Sequence, residues 1–169
     1  GAPGAHLARA TGAGGGPVKP HGYTLVELLA VLAILSVLAM GAAPLAELAT
    51  HRQKEQALRD ALWEIRGALD AYKRAVDNGQ VPRAPGGSGY PPSLAALVDG
   101  VRGGQGQILY FLRRLPRDPF APADGSAEAT WALRSYDSPP EAPRPGADVF
   151  DVQSRSVRVG SNGVPLKDW

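Results

Sequence analysis

The hydrophobic pattern of the chain changes period twice. Between Glu27 and Glu47 lie nineteen residues without a charge. That run is apolar on every face of a helix rather than on one, which suits lipid or a fully covered interior. Its length is close to the ~20 residues that cross a bilayer as a helix. Gly41 and Pro44 stand near its end. Proline has no amide hydrogen to give and its ring crowds the preceding turn, so a helix kink is expected at Gly41 and Pro44. From Leu58 the pattern becomes one-sided. Leu58, Leu62, Ile65, Leu69, Tyr72 and Val76 recur at spacings of four and three, the signature of an amphipathic helix. Trp63, Glu64, Arg66 and Asp70 fall on its other faces. Glu55 with Arg59, Arg66 with Asp70, and Asp70 with Arg74 are spaced for i,i+4 pairs worth ~0.2–0.5 kcal/mol each. Asn78-Gly79 reads as the stop.

Beyond Gly79 the helical period is lost. Prolines and glycines from Pro82 to Pro92 mark a loop. Ser93 to Val98 reads as a short helix capped by Ser93 and stopped by Gly100. The glycine-rich run from Gly100 to Gly106 lacks the Lys-Ser/Thr ending of a phosphate loop and is read as a turn. Ile108 to Leu112 is apolar, and Arg114 to Phe120 is a proline-punctuated turn. Thr130–Tyr136, Asp148–Ser154 and Ser156–Val159 are strand candidates, and Asn162-Gly163 is a tight-turn signal. The expected class is α+β: a long N-terminal helix, its first half membrane-spanning, packed against a small antiparallel β-sheet domain.

Charge divides the chain at its other end. The first 21 residues contain Arg9 and Lys19 and no acid. Basic residues before an apolar span keep that side cytoplasmic, so the remainder is expected outside. Without them the formal charge of +2 falls to zero, which removes the basic footprint a nucleic-acid partner requires. No cysteine is present, so no disulfide staples the domain. His6, His21 and His51 are far apart in the chain, and no H-E-x-x-H or G-x-S-x-G motif occurs. Neither enzymatic activity nor a cofactor is expected.

The boundary between leader and apolar run is the most specific feature. It reads Gly22-Tyr23-Thr24-Leu25-Val26-Glu27-Leu28-Leu29. One acid at the head of such a run is costly in a membrane and marks a functional position. This arrangement resembles the processing site of type IV pilins and of the pseudopilins of type II secretion systems. A secretory signal peptide cut near Gly41-Ala42-Ala43, a plain single-span anchor and a buried core helix are the other readings of the same run. The turn Leu115-Pro116-Arg117-Asp118-Pro119-Phe120 is similar to a segment that precedes the sheet in the major pseudopilin family.

The resemblance implies a leader over 1–22, a transmembrane and assembly helix over 23–49, and a periplasmic domain over 50–169. That domain divides into an amphipathic helix (50–78), a loop and short helix (79–107) and a small sheet (108–169). It further implies cleavage between Gly22 and Tyr23 by a prepilin peptidase, N-methylation of Tyr23, and a role for Glu27 in assembly. The implied partners are copies of the chain itself, other pseudopilins, a secretion platform protein and the bacterial inner membrane. A type IV pilus subunit and an anchored binding module remain the alternatives. Many major pseudopilins carry an acidic calcium loop near the C-terminus. Here Asp168 is the only acid between Val157 and Asp168, so Asp148, Asp151 and Asp168 are read as turn-capping or solvated acids and no metal is expected.

Overall fold

The computed structural model describes residues 22–169, and of residues 41–46 the helical backbone only. Helix α1 spans Leu25–Asp77, α2 spans Ala95–Asp99, and four short strands follow: β1 Val101–Arg102, β2 Ile108–Leu109, β3 Trp131–Arg134 and β4 Asp151–Ser154. The arrangement is the expected α+β class. The chain divides into two compact units, Gly1–Ala43 and Pro44–Trp169. Leader residues 1–21 lie outside the described residues, and at Gly41 and Pro44, where a kink is expected, the backbone is helical.

The second unit is built on the one-sided stripe of α1. Leu58, Leu62, Ile65, Leu69, Tyr72 and Val76 are all buried, with Ala61, Ala68 and Ala75 beside them. Alanines on this face let other segments approach the helix axis closely. Val81, Leu94, Leu97, Leu112, Trp131, Val149, Val152 and Leu166 cover it. The helix ends where Gly79 takes a φ of 72°, with Gly79 N–H donating to Val76 O at 3.0 Å and Gln80 N–H to Ala75 O at 2.8 Å. Those bonds satisfy carbonyls that the last turn would otherwise leave unpaired.

The sheet is smaller than the alternation suggests. It forms two separate antiparallel ladders, β1 with β2 and β3 with β4. The first is a hairpin closed through the glycine-rich run, with Gly103 N–H donating to Gln107 O at 2.7 Å. The second pairs Trp131 with Ser154 and Arg134 with Asp151. The strand candidate Ser156–Val159 contributes only an isolated bridge between Val159 and Pro165. Val157 and Val159 are both exposed, so that alternation has no buried face to pair upon. Helix α2 begins one residue later than its cap signal suggests: Ser93 Oγ accepts from Ala96 N–H at 3.4 Å, and Glu128 Oε1 accepts from Leu94 N–H at 3.1 Å.

The proline-punctuated turn is organised by its aspartate. Asp118 is buried; its Oδ1 accepts from Phe120 N–H at 2.8 Å and its Oδ2 from Ser154 Oγ at 2.5 Å. Trp131 Nε1–H donates to Pro116 O at 2.9 Å, which places the largest core side chain beneath the turn.

Candidate functional site

Two regions concentrate the chemistry. At the head of α1, Gly22, Tyr23 and Thr24 are irregular and the helix starts at Leu25. Thr24 Oγ1 accepts from Glu27 N–H at 3.2 Å, and Leu28 N–H donates to Thr24 O at 3.1 Å. Thr24 is therefore the N-cap, and Thr-Leu-Val-Glu has the spacing of a capping box. That N-cap was legible in the sequence as T-x-x-E. Tyr23 and Glu27 are both exposed. A Cβ at Gly22 would meet nothing within 4 Å, so no contact among the described residues requires glycine there.

Behind this cap, every large apolar side chain from Leu25 to Met40 that the helix presents is exposed, from Val31 at 45% to Met40 at 80%. The one hydroxyl in this stretch of helix, Ser36, donates to Leu32 O at 2.7 Å and so carries no unmet donor into an apolar environment. Among the described residues no helix is long and apolar enough to cross a membrane; the described side chains of the apolar run stop at Met40.

The second region is a clamp that holds the C-terminal segment to α1. Glu55, Arg59 and Arg66 lie along one margin of the core stripe, beside Leu62. Glu55 is 3% exposed and binds the turn Gly160–Gly163: Ser161 N–H donates to Oε1 at 2.7 Å and Ser161 Oγ to Oε2 at 2.5 Å. His51 Nδ1 stands 3.0 Å from the same Oε1. Arg59 lies over the Trp169 ring, 4.4 Å from its centroid. Arg66 Nε donates to Asp151 Oδ1 at 2.8 Å and its Nη2 to Trp169 O at 2.9 Å. Gly160 is required by packing, because a Cβ there would run into the Trp169 indole. A cleft of about 700 Å³ opens beside this clamp, with Arg59, Trp63, Asp70 and Trp169 in its walls.

These contacts replace the helical ion pairs read from spacing. Glu55 and Arg66 turn to partners far along the chain instead of to Arg59 and Asp70. The three aspartates also separate. Asp148 accepts from Ser88 Oγ, from Ser135 Oγ at 3.0 Å and from Tyr136 N–H at 2.8 Å, whereas Asp151 pairs with Arg66. Among the described residues no group of three His, Asp or Glu side chains is placed to hold a metal ion.

Ser161 donates its hydroxyl to the Glu55 carboxylate, and His51 meets the same carboxylate. The electrostatics of this cluster bear on stability. The hydrogen bond from the Ser161 hydroxyl, more than the opposing burial, holds the Glu55 carboxyl below its ordinary range. A depressed folded-state value contributes stability that is complete above the ordinary carboxylate range and is lost as pH falls through the lowered value. Acid unfolding of the purified chain is expected to steepen in that window. Glu55→Gln is expected to flatten that part of the profile while lowering stability at neutral pH. An unchanged acid limb in Glu55→Gln would remove Glu55 from the titration.

Residues 19–43 match the family description "Prokaryotic N-terminal methylation motif". The match takes in Gly22, Tyr23, Glu27 and Gly41 and stops one residue before Pro44. No curated protein and no solved structure matches the chain. The chain therefore carries a type IV pilin-like signal, and that signal implies processing by a prepilin peptidase and assembly with other pilin-like subunits.

Proposed function

We propose that the chain is a structural, non-catalytic subunit of a type II secretion pseudopilus. The prepilin is cut after Gly22 and methylated on the new amine of Tyr23. Residues 23–49 hold it in the bacterial inner membrane, with the domain over 50–169 in the periplasm. Copies then polymerise, with other pseudopilins and on a secretion platform protein, into a short filament that drives protein export. The observation that carries this reading is the head of α1: an N-capped helix bearing one acid, followed by large apolar side chains exposed on all sides, all within the segment that matches a methylation motif. Water does not tolerate such a surface uncovered, so it needs lipid or neighbouring helices.

A type IV pilus subunit uses the same signal and is the second reading. Deleting the chain from its host separates the two. The secretion reading expects exported proteins to vanish from the medium while surface pili persist. Loss of pili with export intact would contradict it and favour the pilus.

A further inference from the structure

The cleft beside the clamp is built from fixed parts and carries both signs of charge. Its loop side is the Trp169 indole, whose Nε1–H donates to Val164 O at 3.2 Å and whose face is covered by Arg59. Its helix side is Arg59, Trp63, Gly67 and Asp70. Trp63 is 68% exposed, so the core does not use it. Arg66 and Asp168 complete the charged lining. Arg66 is committed to Asp151 and to the backbone oxygens of Val152 and Trp169. Arg59, Asp70 and Asp168 have no ion-pair partner among the described residues. Gly67 is a separate sign. It stands inside α1, where glycine weakens a helix relative to alanine. It is exposed, and a Cβ there would meet nothing within 4 Å, so no contact among the described residues requires glycine. What it provides is a gap in the helix wall between Trp63 and Asp70, where another backbone can come close.

The same chain displays a segment that suits this cleft. Residues 139–146 include Pro139, Pro140, Pro143 and Pro145, and the whole run is exposed. Ser138 shapes the run from beneath: its Oγ donates to Ala142 O at 3.2 Å and accepts from Arg144 N–H at 2.8 Å. Ser135 N–H donates to Arg144 O at 2.9 Å. The loop is thus held in one form without burying its prolines, which lowers the ordering cost of docking. Glu141 and Arg144 are exposed on it and have no ion-pair partner among the described residues. No residue of the loop lines the cleft of its own chain.

Proline-rich segments dock in aromatic-lined grooves because their rings pack on aromatic faces and their stiff backbone has little freedom to lose. We infer that the proline loop of one copy docks in the Trp63–Trp169 cleft of the next, with its prolines on the indoles, Glu141 toward Arg59 and Arg144 toward Asp70. The occupant is a second copy because this chain itself carries a segment that matches the cleft in proline content and in both signs of charge. Loop and cleft are different patches, so the contact is heterologous and repeats head to tail. The inference rests on the filament reading and assigns it an interface in the outer domain, apart from the apolar half of α1.

The absence of cysteine makes a direct test available. Val164 lines the cleft and is exposed, and Ala142 is exposed on the loop. A full chain with Val164→Cys and a differently tagged full chain with Ala142→Cys are made together in host membranes and treated with a short bis-maleimide. The expected product is a dimer joining the two tags, with neither variant alone giving one. Both substitutions in one chain are expected to give a ladder of trimers and higher species. Trp63→Ala and Gly67→Leu are each expected to cut the cross-linked yield about tenfold while the domain's melting temperature does not fall. Arg144→Asp is expected to weaken the cross-link, and Asp70→Arg added to it to restore the yield. Electron microscopy of the same cells reports filaments independently. Filaments without the mixed dimer, or with a yield indifferent to Trp63→Ala, would overturn this interface and leave the filament reading standing. Absence of filaments from the unaltered chain would overturn both. Dimers without a ladder would overturn the head-to-tail contact, and adducts to a different protein would overturn the choice of occupant.

Discussion

Ile65→Asp is expected to lower the stability of the outer domain by about 4 kcal/mol or more, enough to leave a small domain largely unfolded at growth temperature. Ile65 is fully buried at the middle of the α1 stripe, in the same core cluster as Trp131 and Val152. No basic side chain is buried in that cluster, so the new carboxylate has no partner and meets the desolvation cost alone. Far-UV circular dichroism of the purified chain in detergent should show the outer domain's melting temperature falling by roughly 10 °C or more. Two controls separate charge from position. Ala57→Asp puts the same charge on an exposed helix position and should stay within about 0.5 kcal/mol. Ile65→Val removes one methylene and should cost only ~0.5–1.5 kcal/mol. Equal melting temperatures for Ile65→Asp and Ala57→Asp would mean that the stripe is not the core.

Glu27→Ala is expected to cut filament yield by about tenfold or more while leaving membrane association and processing intact. The cap explains why the first two survive. Thr24 Oγ1 bonds the backbone N–H of residue 27, which alanine retains. What is lost locally is the favourable placement of an acid in the first turn, about 0.3–1 kcal/mol. Assembly asks more of this position. In the proposed filament, where exposed apolar helices pack together, the amine that cleavage would leave on Tyr23 would be carried among them, with its charge kept after methylation. The Glu27 carboxylate of a neighbour is the group proposed to neutralise it; without that acid the charge would be left unpaired in an apolar setting. Sheared filaments and membrane fractions from the same culture give both quantities. Filaments at normal yield would leave Glu27 only its favourable place in the first turn of the helix.

The helix and its buried stripe could be read from the sequence because a period of 3.6 over many turns is a strong local signal. The clamp could not. Glu55 and Ser161 are 106 residues apart, and Arg66 and Asp151 are 85 apart. Spacing arguments see only partners three or four positions away, and tertiary partners with better geometry displaced them. The strands were overread for a related reason. Two-residue ladders such as Val101–Arg102 with Ile108–Leu109 are shorter than any alternation that can be recognised, while Val157 and Val159 alternate without burying anything. Thr24 shows the opposite case: its N-cap pattern, T-x-x-E, is local and stands in the sequence.

The decisive measurement is the mass of the chain's N-terminal peptide, taken from protein made in its own host with the processing enzymes present. A chain that begins at Tyr23 and carries one methyl group on its amine is the expected result. It requires that the backbone at Gly22 be open to a peptidase; among the described residues nothing beyond its chain neighbours lies within 4 Å of a Cβ placed there. Gly22→Leu in the same experiment should leave the leader attached. Recovery only of chains that retain the leader, or of chains that begin near Pro44, would contradict the assignment of this chain as a processed filament subunit.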